Sequence, residues 1–268
     1  MLISRLTALC LLCLTPLSAG AQNLPAPLRA EILPGWQQPD GSRIAGLKLS
    51  LAPGWKTYWR APGDAGIPPR FDWSGSVNLQ GIEVSYPTPI VFRQSGMRSI
   101  GYQDQVILPL TIRPRDADAP VILQADIELG VCLDICMPET LSLSARLDDP
   151  GAAPTPAIAA ALAQRPYSAA EANVQAARCA INPGKDGLEI EARLVLPSTG
   201  REEVVVIEPG RPDLWMSETD VTRQGEQLTA RGDLIARGGG ALALDRSAIR
   251  ITVLGSQRSV EIIGCAPA

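Results

Sequence analysis

From Leu28 to Leu147, and again from Cys179 to Cys265, short runs of alternating apolar and polar residues are cut at close intervals by glycine and proline. A side-chain period of two fits a half-buried strand and no helix. Leu47-Lys48-Leu49-Ser50-Leu51 and Leu141-Ser142-Leu143-Ser144 show the alternation most clearly. The runs Ile44 to Leu51, Val77 to Val84, Val106 to Ile112, Pro120 to Leu129 and Leu141 to Leu147 predict a set of antiparallel strands. Twenty-four glycines and 24 prolines supply the turns between them, so the chain reads as all-β and sandwich-like. Pro109 lies inside a strand-like run, which predicts an edge or a bulge there.

The middle of the chain differs. Asp148-Asp149-Pro150-Gly151 is a strong break, and the alanine-rich run Pro154 to Arg165 predicts a short helix stopped by Pro166. Ser168 to Arg178 reads as a second helical piece. Few large apolar residues anchor this region, so a lightly packed linker is expected. Beyond it Leu188 to Leu194, Val204 to Ile207, Ile249 to Leu254 and Val260 to Ile263 predict further strands. The expected organisation is a first β domain over residues 22–148, a linker over 149–169, and a second, smaller β-sandwich over 170–268.

Residues 1–21 are set apart from the fold. Met1 to Arg5 is a short positive start, Leu6 to Leu17 an apolar run, and Ala19-Gly20-Ala21 a small-x-small cleavage site. These are the parts of a secretory signal peptide, and the apolar run is too short to cross a bilayer. The mature chain is expected to start near Gln22, to be exported to the periplasm, and not to span a membrane. A formal net charge of −4 without a basic cluster argues against nucleic acid as a partner. Histidine is absent from all 268 residues. A Ser-His-Asp triad, a Cys-His pair and every His-ligated metal site are thereby excluded. No cofactor and no metal centre are expected.

Two of the six cysteines, Cys10 and Cys13, fall within the leader. The other four are Cys132, Cys136, Cys179 and Cys265, and four cysteines allow three pairings. In Gly130-Val131-Cys132-Leu133-Asp134-Ile135-Cys136-Met137-Pro138-Glu139 two cysteines stand between two β runs. A tight antiparallel connection brings its ends within disulfide range. So short a loop gains little from closure, so a bridge here is either a plain hairpin staple or a bond that opens and closes in exchange reactions. No helix start and no cation within the motif would acidify the thiols, and Asp134 and Glu139 would oppose thiolate formation. These carboxylates are either solvated turn residues or aids to proton transfer. Cys179 and Cys265 flank the second domain, where a bridge would be structural; a second redox pair is the alternative.

The cysteine segment resembles the N-terminal periplasmic domain of the thiol:disulfide interchange protein DsbD, and more closely the exported part of the ScsB-like proteins. Pro53-Gly54-Trp55-Lys56-Thr57-Tyr58-Trp59, then Pro62-Gly63-Asp64, and Gly101-Tyr102 leading into Val106-Ile107-Leu108-Pro109-Leu110 carry the rest of the resemblance. It covers about residues 30–147. The resemblance implies an immunoglobulin-like sandwich with the reactive pair Cys132 and Cys136 on a hairpin at one end, Cys136 the more exposed. It implies a supporting role for Tyr58, and a cap loop over about Phe92 to Tyr102 in which Met97, Ile100 and Tyr102 stand. It also implies electrons received from a membrane-embedded donor of the DsbD/ScsB type and passed to periplasmic thioredoxin-like proteins, a protein-disulfide reductase activity. In ScsB-like proteins a second β domain follows the first. Two other readings stay open: a non-catalytic immunoglobulin-like binding protein, and a Cu(I) carrier using the cysteine pair with Met137 or Met97.

Overall fold

A computed structural model describes residues 26–64, 66–94, 96–148, 153–184, 187–211, 213–236 and 244–268. The leader read over residues 1–21 and most of the Asp-Asp-Pro-Gly break lie outside the described residues.

Among the described residues the first unit has ten strands. They are β1 (Leu28–Gln37), β2 (Arg43–Leu51), β3 (Lys56–Tyr58), β4 (Arg70–Asp72), β5 (Leu79–Val84), β6 (Ile90–Gln94), β7 (Met97–Gln103), β8 (Gln105–Pro114), β9 (Val121–Cys132) and β10 (Cys136–Leu147). One sheet runs β1-β2-β8-β5; the other runs β10-β9-β3-β7-β6, with β4 also on β9. The result is an all-β, immunoglobulin-like sandwich. Pleat parity fills its core. Val121, Leu123, Ala125, Ile127, Leu129 and Val131 of β9 all point inward, against Leu47, Leu108, Leu110 and Ile112 of the facing sheet. The even-numbered residues of β9 therefore face out, Cys132 among them.

Pro109 departs from expectation. β8 is an inner strand, and its pairing with β2 passes through Gly46↔Pro109 without a bulge. The carbonyl of Pro109 accepts from the Ser85 N–H (2.8 Å), so its main-chain groups turn toward β5 just past the last paired residue, Val84. The missing donor falls where the ladder ends and costs no bond.

α1 (Pro156–Ala163) starts on Pro156, where a lost N–H is harmless. Eight residues are too few for a stable isolated helix. Packing holds it: Ile158 is fully buried, and its Cγ1 lies 3.0 Å from where a Cβ on Gly46 would sit. The segment Ser168 to Arg178 is not helical. It runs from the last residue of a two-residue strand, β11 (Tyr167–Ser168), through a turn to the start of β12 (Ala176–Pro183), which pairs along its whole length with β13 (Leu188–Val195).

The second sandwich continues with β14 (Val204–Glu208), β15 (Leu214–Met216), β16 (Asp220–Gln224), β17 (Gln227–Ala236), β18 (Arg250–Leu254), β19 (Ser259–Ile263) and β20 (Ala266–Pro267). Its sheets are β11-β19-β18-β14 and β15-β17-β13-β12-β20, with β16 on β17. Ile190, Ala192, Leu194, Val205, Ile251, Val253 and Val260 form its core. Cys179 and Cys265 are buried in it and joined by a disulfide, with Cα atoms 5.7 Å apart.

The β14-β18-β19 sheet has two buried faces. One lines its own core; from the other, Val204 and Leu254 join the core cluster of the first sandwich. Arg60, in the segment that follows β3, crosses this seam. Its guanidinium donates to both Glu208 carboxylate oxygens (3.0–3.1 Å), to Glu261 (2.6 Å) and to Thr252 Oγ1 (3.4 Å). Burial works against its charge, but the two carboxylates more than offset that, and its pKa is held above the ordinary arginine value. The same guanidinium lies 4.1 Å from the ring centroid of Trp59, a fully buried core residue.

The Cys179–Cys265 bond closes a separation of 86 residues. Loop-closure entropy assigns such a bond about 4–5 kcal/mol. Replacing both cysteines by alanine is expected to lower the denaturant midpoint of the second sandwich sharply in urea unfolding. An unchanged midpoint would show that the bond contributes nothing to its stability.

Candidate functional site

The β9–β10 ladder runs unbroken from Val121↔Leu147 to Cys132↔Cys136, with Leu133, Asp134 and Ile135 as its connection. The last pair of the ladder is a disulfide, with Cα atoms 4.1 Å apart. The two cysteines differ in access. Cys132 is 2% exposed, whereas Cys136 lies on the open edge of the hairpin and is exposed. Leu133, Ile135 and Met137 around it are exposed as well, Ile135 at 76%. Of the two, Cys136 is the cysteine open to approach.

Tyr58 reaches that sulfur. Its hydroxyl lies 2.8 Å from Cys136 Sγ. A bonded sulfur carries no hydrogen, so the phenol is the donor. The backbone prepares this contact. Lys56 pairs with Cys132 and Thr57 with Val131 across β3–β9, and Thr57 Oγ1 donates to the Gly130 carbonyl (2.8 Å). Alternation then puts Lys56 and Tyr58 on the outer face, with the cysteines. Two glycines make room for the ring. A Cβ on Gly130 would come 2.8 Å from Tyr58 Cδ2, and one on Gly66 would come 2.9 Å from Cδ1. The Tyr58 ring thus lies between the β9 backbone and the Pro62–Pro68 stretch, whose Ile67 also abuts Gly130. Burial raises the phenol's pKa above its ordinary value of 10, so it stays a donor throughout the physiological range.

Lys56 stands directly opposite Cys132 on the same face, and its ammonium lies 5.1 Å from the ring centroid of Phe92. Leu133 Cδ1 comes within 3.1 Å of a Cβ position on Gly54, whose φ of +80° makes the turn before β3. The hairpin tip is fastened to that turn by this contact.

The remaining sequence candidates are scattered. Asp134 is exposed at the tip. Glu139 pairs with Leu129, on the face opposite the cysteines and about 10 Å further along β10. Met137 likewise alternates away from the Cys132–Cys136 face, which sets it apart from the copper ligand set considered above. The Phe92 to Tyr102 stretch is not a loop but most of the β6–β7 hairpin. Ile100 and Tyr102 belong to the sandwich core, with Tyr102 Oη donating to the Pro87 carbonyl (2.8 Å), and Met97 stands exposed beside the turn. This placement differs from the cap-loop expectation because alternation turns Ile100 and Tyr102 to the face away from the disulfide. The residues set against Tyr58 come instead from the stretch after β3. Lys56, Gly66 and Gly130 escaped the sequence reading. Lys56 was legible as the i−2 neighbour of Tyr58 in a strand, and Gly130 as the i−2 neighbour of Cys132.

No His, Cys, Asp and Glu cluster suited to a metal ion occurs among the described residues. The disulfide sits at the exposed end of the hairpin, between two clefts, one lined in part by Gly54, Lys56, Phe92 and Leu133 and the other by Ile67, Glu128, Pro138 and Glu139. A further cleft of about 420 Å³ lies at the seam between the sandwiches, lined in part by Arg60, Arg98, Met216 and Glu218. An exposed cysteine at a hairpin end suits a protein-sized partner better than an enclosed small molecule.

In the reduced protein the Tyr58 hydroxyl would donate to a Cys136 thiolate and favour it. A hydrogen bond of about 1 kcal/mol corresponds to roughly 0.5–1 pKa unit. Tyr58→Phe in a Cys132→Ser background is expected to raise the Cys136 thiol pKa by that amount, followed by thiolate absorbance against pH. An unchanged titration would remove Tyr58 from the chemistry.

Residues 29–147 match the family model described as thiol:disulfide interchange protein DsbD, N-terminal. No curated protein sequence matches the chain. Among solved structures, the chain is similar to the N-terminal periplasmic domain of ScsB from Proteus mirabilis. The two share 22% identity with a TM-score of 0.66, over 90% of this chain and 93% of that one. At this identity the likeness is one of fold, and its extent takes in both sandwiches.

Proposed function

Because residues 29–147 are a domain of the DsbD N-terminal family, we propose that the chain is a periplasmic electron carrier that passes reducing equivalents from a membrane-embedded reductase to thioredoxin-like proteins through Cys132 and Cys136. The observation that carries this reading is the asymmetry of the pair: Cys136 exposed at the end of an edge strand, Cys132 buried across from it.

A donor thiolate attacks Cys136 Sγ, the accessible sulfur. The Cys132–Cys136 bond breaks, and Cys132 leaves as a thiolate on the same face as Lys56. The positive side chain opposite it favours that departure. A second donor thiolate then attacks its own sulfur in the mixed disulfide and forms the donor disulfide. Cys136 is released as a thiolate, to which Tyr58 donates its hydroxyl proton in a hydrogen bond. Two electrons have moved, and the two protons of the donor thiols end on Cys132 and Cys136. Delivery reverses the sequence. Cys136 attacks a partner disulfide, and Cys132 closes onto Cys136 to release the reduced partner.

Trapping tests the order of attack. With Cys132→Ala, Cys136 is left without its resolving partner and is expected to accumulate a stable mixed disulfide with a thioredoxin-like protein, detected by non-reducing electrophoresis and mass spectrometry. Cys136→Ala leaves only the buried sulfur and is expected to trap little. Equal trapping by both variants, or by neither, would contradict the proposal.

A further inference from the structure

The disulfide lies on an edge strand, and the hydrogen-bond phase of that edge can be read from three directions. Among the described residues β10 has β9 as its one hydrogen-bonded neighbour. In an antiparallel pair, opposed residues alternate between wide sites, which exchange both bonds, and narrow sites, whose N–H and C=O groups point away from each other. The Cys132–Cys136 Cα separation of 4.1 Å belongs to the narrow class, near 4.5 Å, rather than the wide one, near 5.5 Å.

The neighbouring ladder gives the same phase. Trp59 N–H donates to the Ile100 carbonyl in β7 (2.9 Å). Alternation then turns the main-chain groups of Lys56 toward β9, and those of Cys132 toward Lys56 rather than Cys136. Pro138 gives the third reading. It has no N–H, pairs with Gly130 within an unbroken ladder, and shares the parity of Cys136. A proline is tolerated inside a strand when its missing donor would have faced an open edge.

The outer edge therefore presents, in order, the N–H and C=O of Cys136, the C=O of Pro138, and the N–H and C=O of Thr140. The reactive sulfur and an unpaired pair of main-chain groups belong to one residue. We infer that the exchange partner docks by adding an extended segment to this edge, pairing its main chain with Cys136 while its sulfur meets Cys136 Sγ. This rests on the exchange reading above and specifies how the partner is held. The occupant is a thiol protein with an unpaired extended stretch beside its reactive cysteine, and main-chain pairing would let it be recognised without a fixed sequence. Exposed Ile135 and Leu133 flank the same tip and would be covered on docking. Pro138 has a second consequence. It leaves a gap in the row of donors, which keeps the edge from pairing freely with a second copy of the chain.

Amide hydrogen exchange on the full chain tests this. The Cys132→Ala variant is joined through Cys136 either to a thioredoxin retaining only its attacking cysteine or to glutathione. Docking on the edge predicts that the Cys136 amide exchanges about fivefold or more slowly in the thioredoxin adduct than in the glutathione adduct, the equivalent of one hydrogen bond. Equal exchange in the two adducts would overturn edge docking and leave the exchange reading intact. Failure to form the thioredoxin adduct would overturn both. Protection of Cys136 in the unmodified protein that grows with its concentration, alongside a dimer, would assign the edge to a second copy and overturn the inference. As an independent check, Thr140→Pro removes an outward donor and no β9 bond. It is expected to slow reduction by thioredoxin severalfold and leave reduction by dithiothreitol unchanged; equal rates with thioredoxin would count against docking.

Discussion

The narrow cross-strand pairing of Cys132 with Cys136 at the open end of the β9–β10 ladder is the constraint on which the site depends. It brings two sulfurs into bonding range without help from a loop. It puts both on the outer face of the sheet, away from the core filled by Val121 to Val131. It also divides their roles, because Cys132 is enclosed between strands while Cys136 ends an edge. The rest of the site follows from strand parity. Lys56 and Tyr58 share the cysteine face because they are two residues apart in β3, and Gly130 is the place where the Tyr58 ring can lie flat on β9.

The second sandwich bears on this site indirectly. The stretch that packs Tyr58 from above begins at Trp59 and Arg60, and Arg60 is bound to Glu208, Glu261 and Thr252 of the second unit. A largely buried arginine with two carboxylates holds position better than an exposed pair, because little of its interaction is screened. The backbone just after β3 is thereby tied at one end to the redox hairpin's neighbour strand and at the other to the second domain. Val204 and Leu254, which join the first core from β14 and β18, make the seam apolar as well as ionic. The second domain can therefore serve as a brace for the segment over the disulfide without carrying any reactive group of its own.

Much of this was legible in the chain. Alternation located β2, β8, β9 and β10 because each has one face in a core, and the pair Cys132 and Cys136 stood out between two such runs. Side-chain reach was less legible. That Tyr58 meets Cys136 came from resemblance, since no local pattern says how far a phenol extends from a strand 78 residues away. The alanine-rich stretch after Ser168 misled for a different reason. Intrinsic helix preference was outweighed by the pairing of Ala176, Ala177 and Arg178 with β13 and by the packing of Ala169, Ala172 and Val174 against the second core. Ile100 and Tyr102 lie in a hairpin of two regular strands rather than a loop, and strand parity turns both of their side chains into the core.

The central claim is that this bond is one that opens in use, and its reduction potential tests that most directly. Equilibrating the full chain in graded glutathione and dithiothreitol buffers, then resolving the two disulfides by mass spectrometry, gives both potentials in one experiment. The exposed sulfur and the short loop predict that Cys132–Cys136 titrates above about −300 mV, while buried Cys179–Cys265 remains closed at that poise. If Cys132–Cys136 also stayed closed below about −300 mV, it would be a staple of the hairpin and no carrier of electrons.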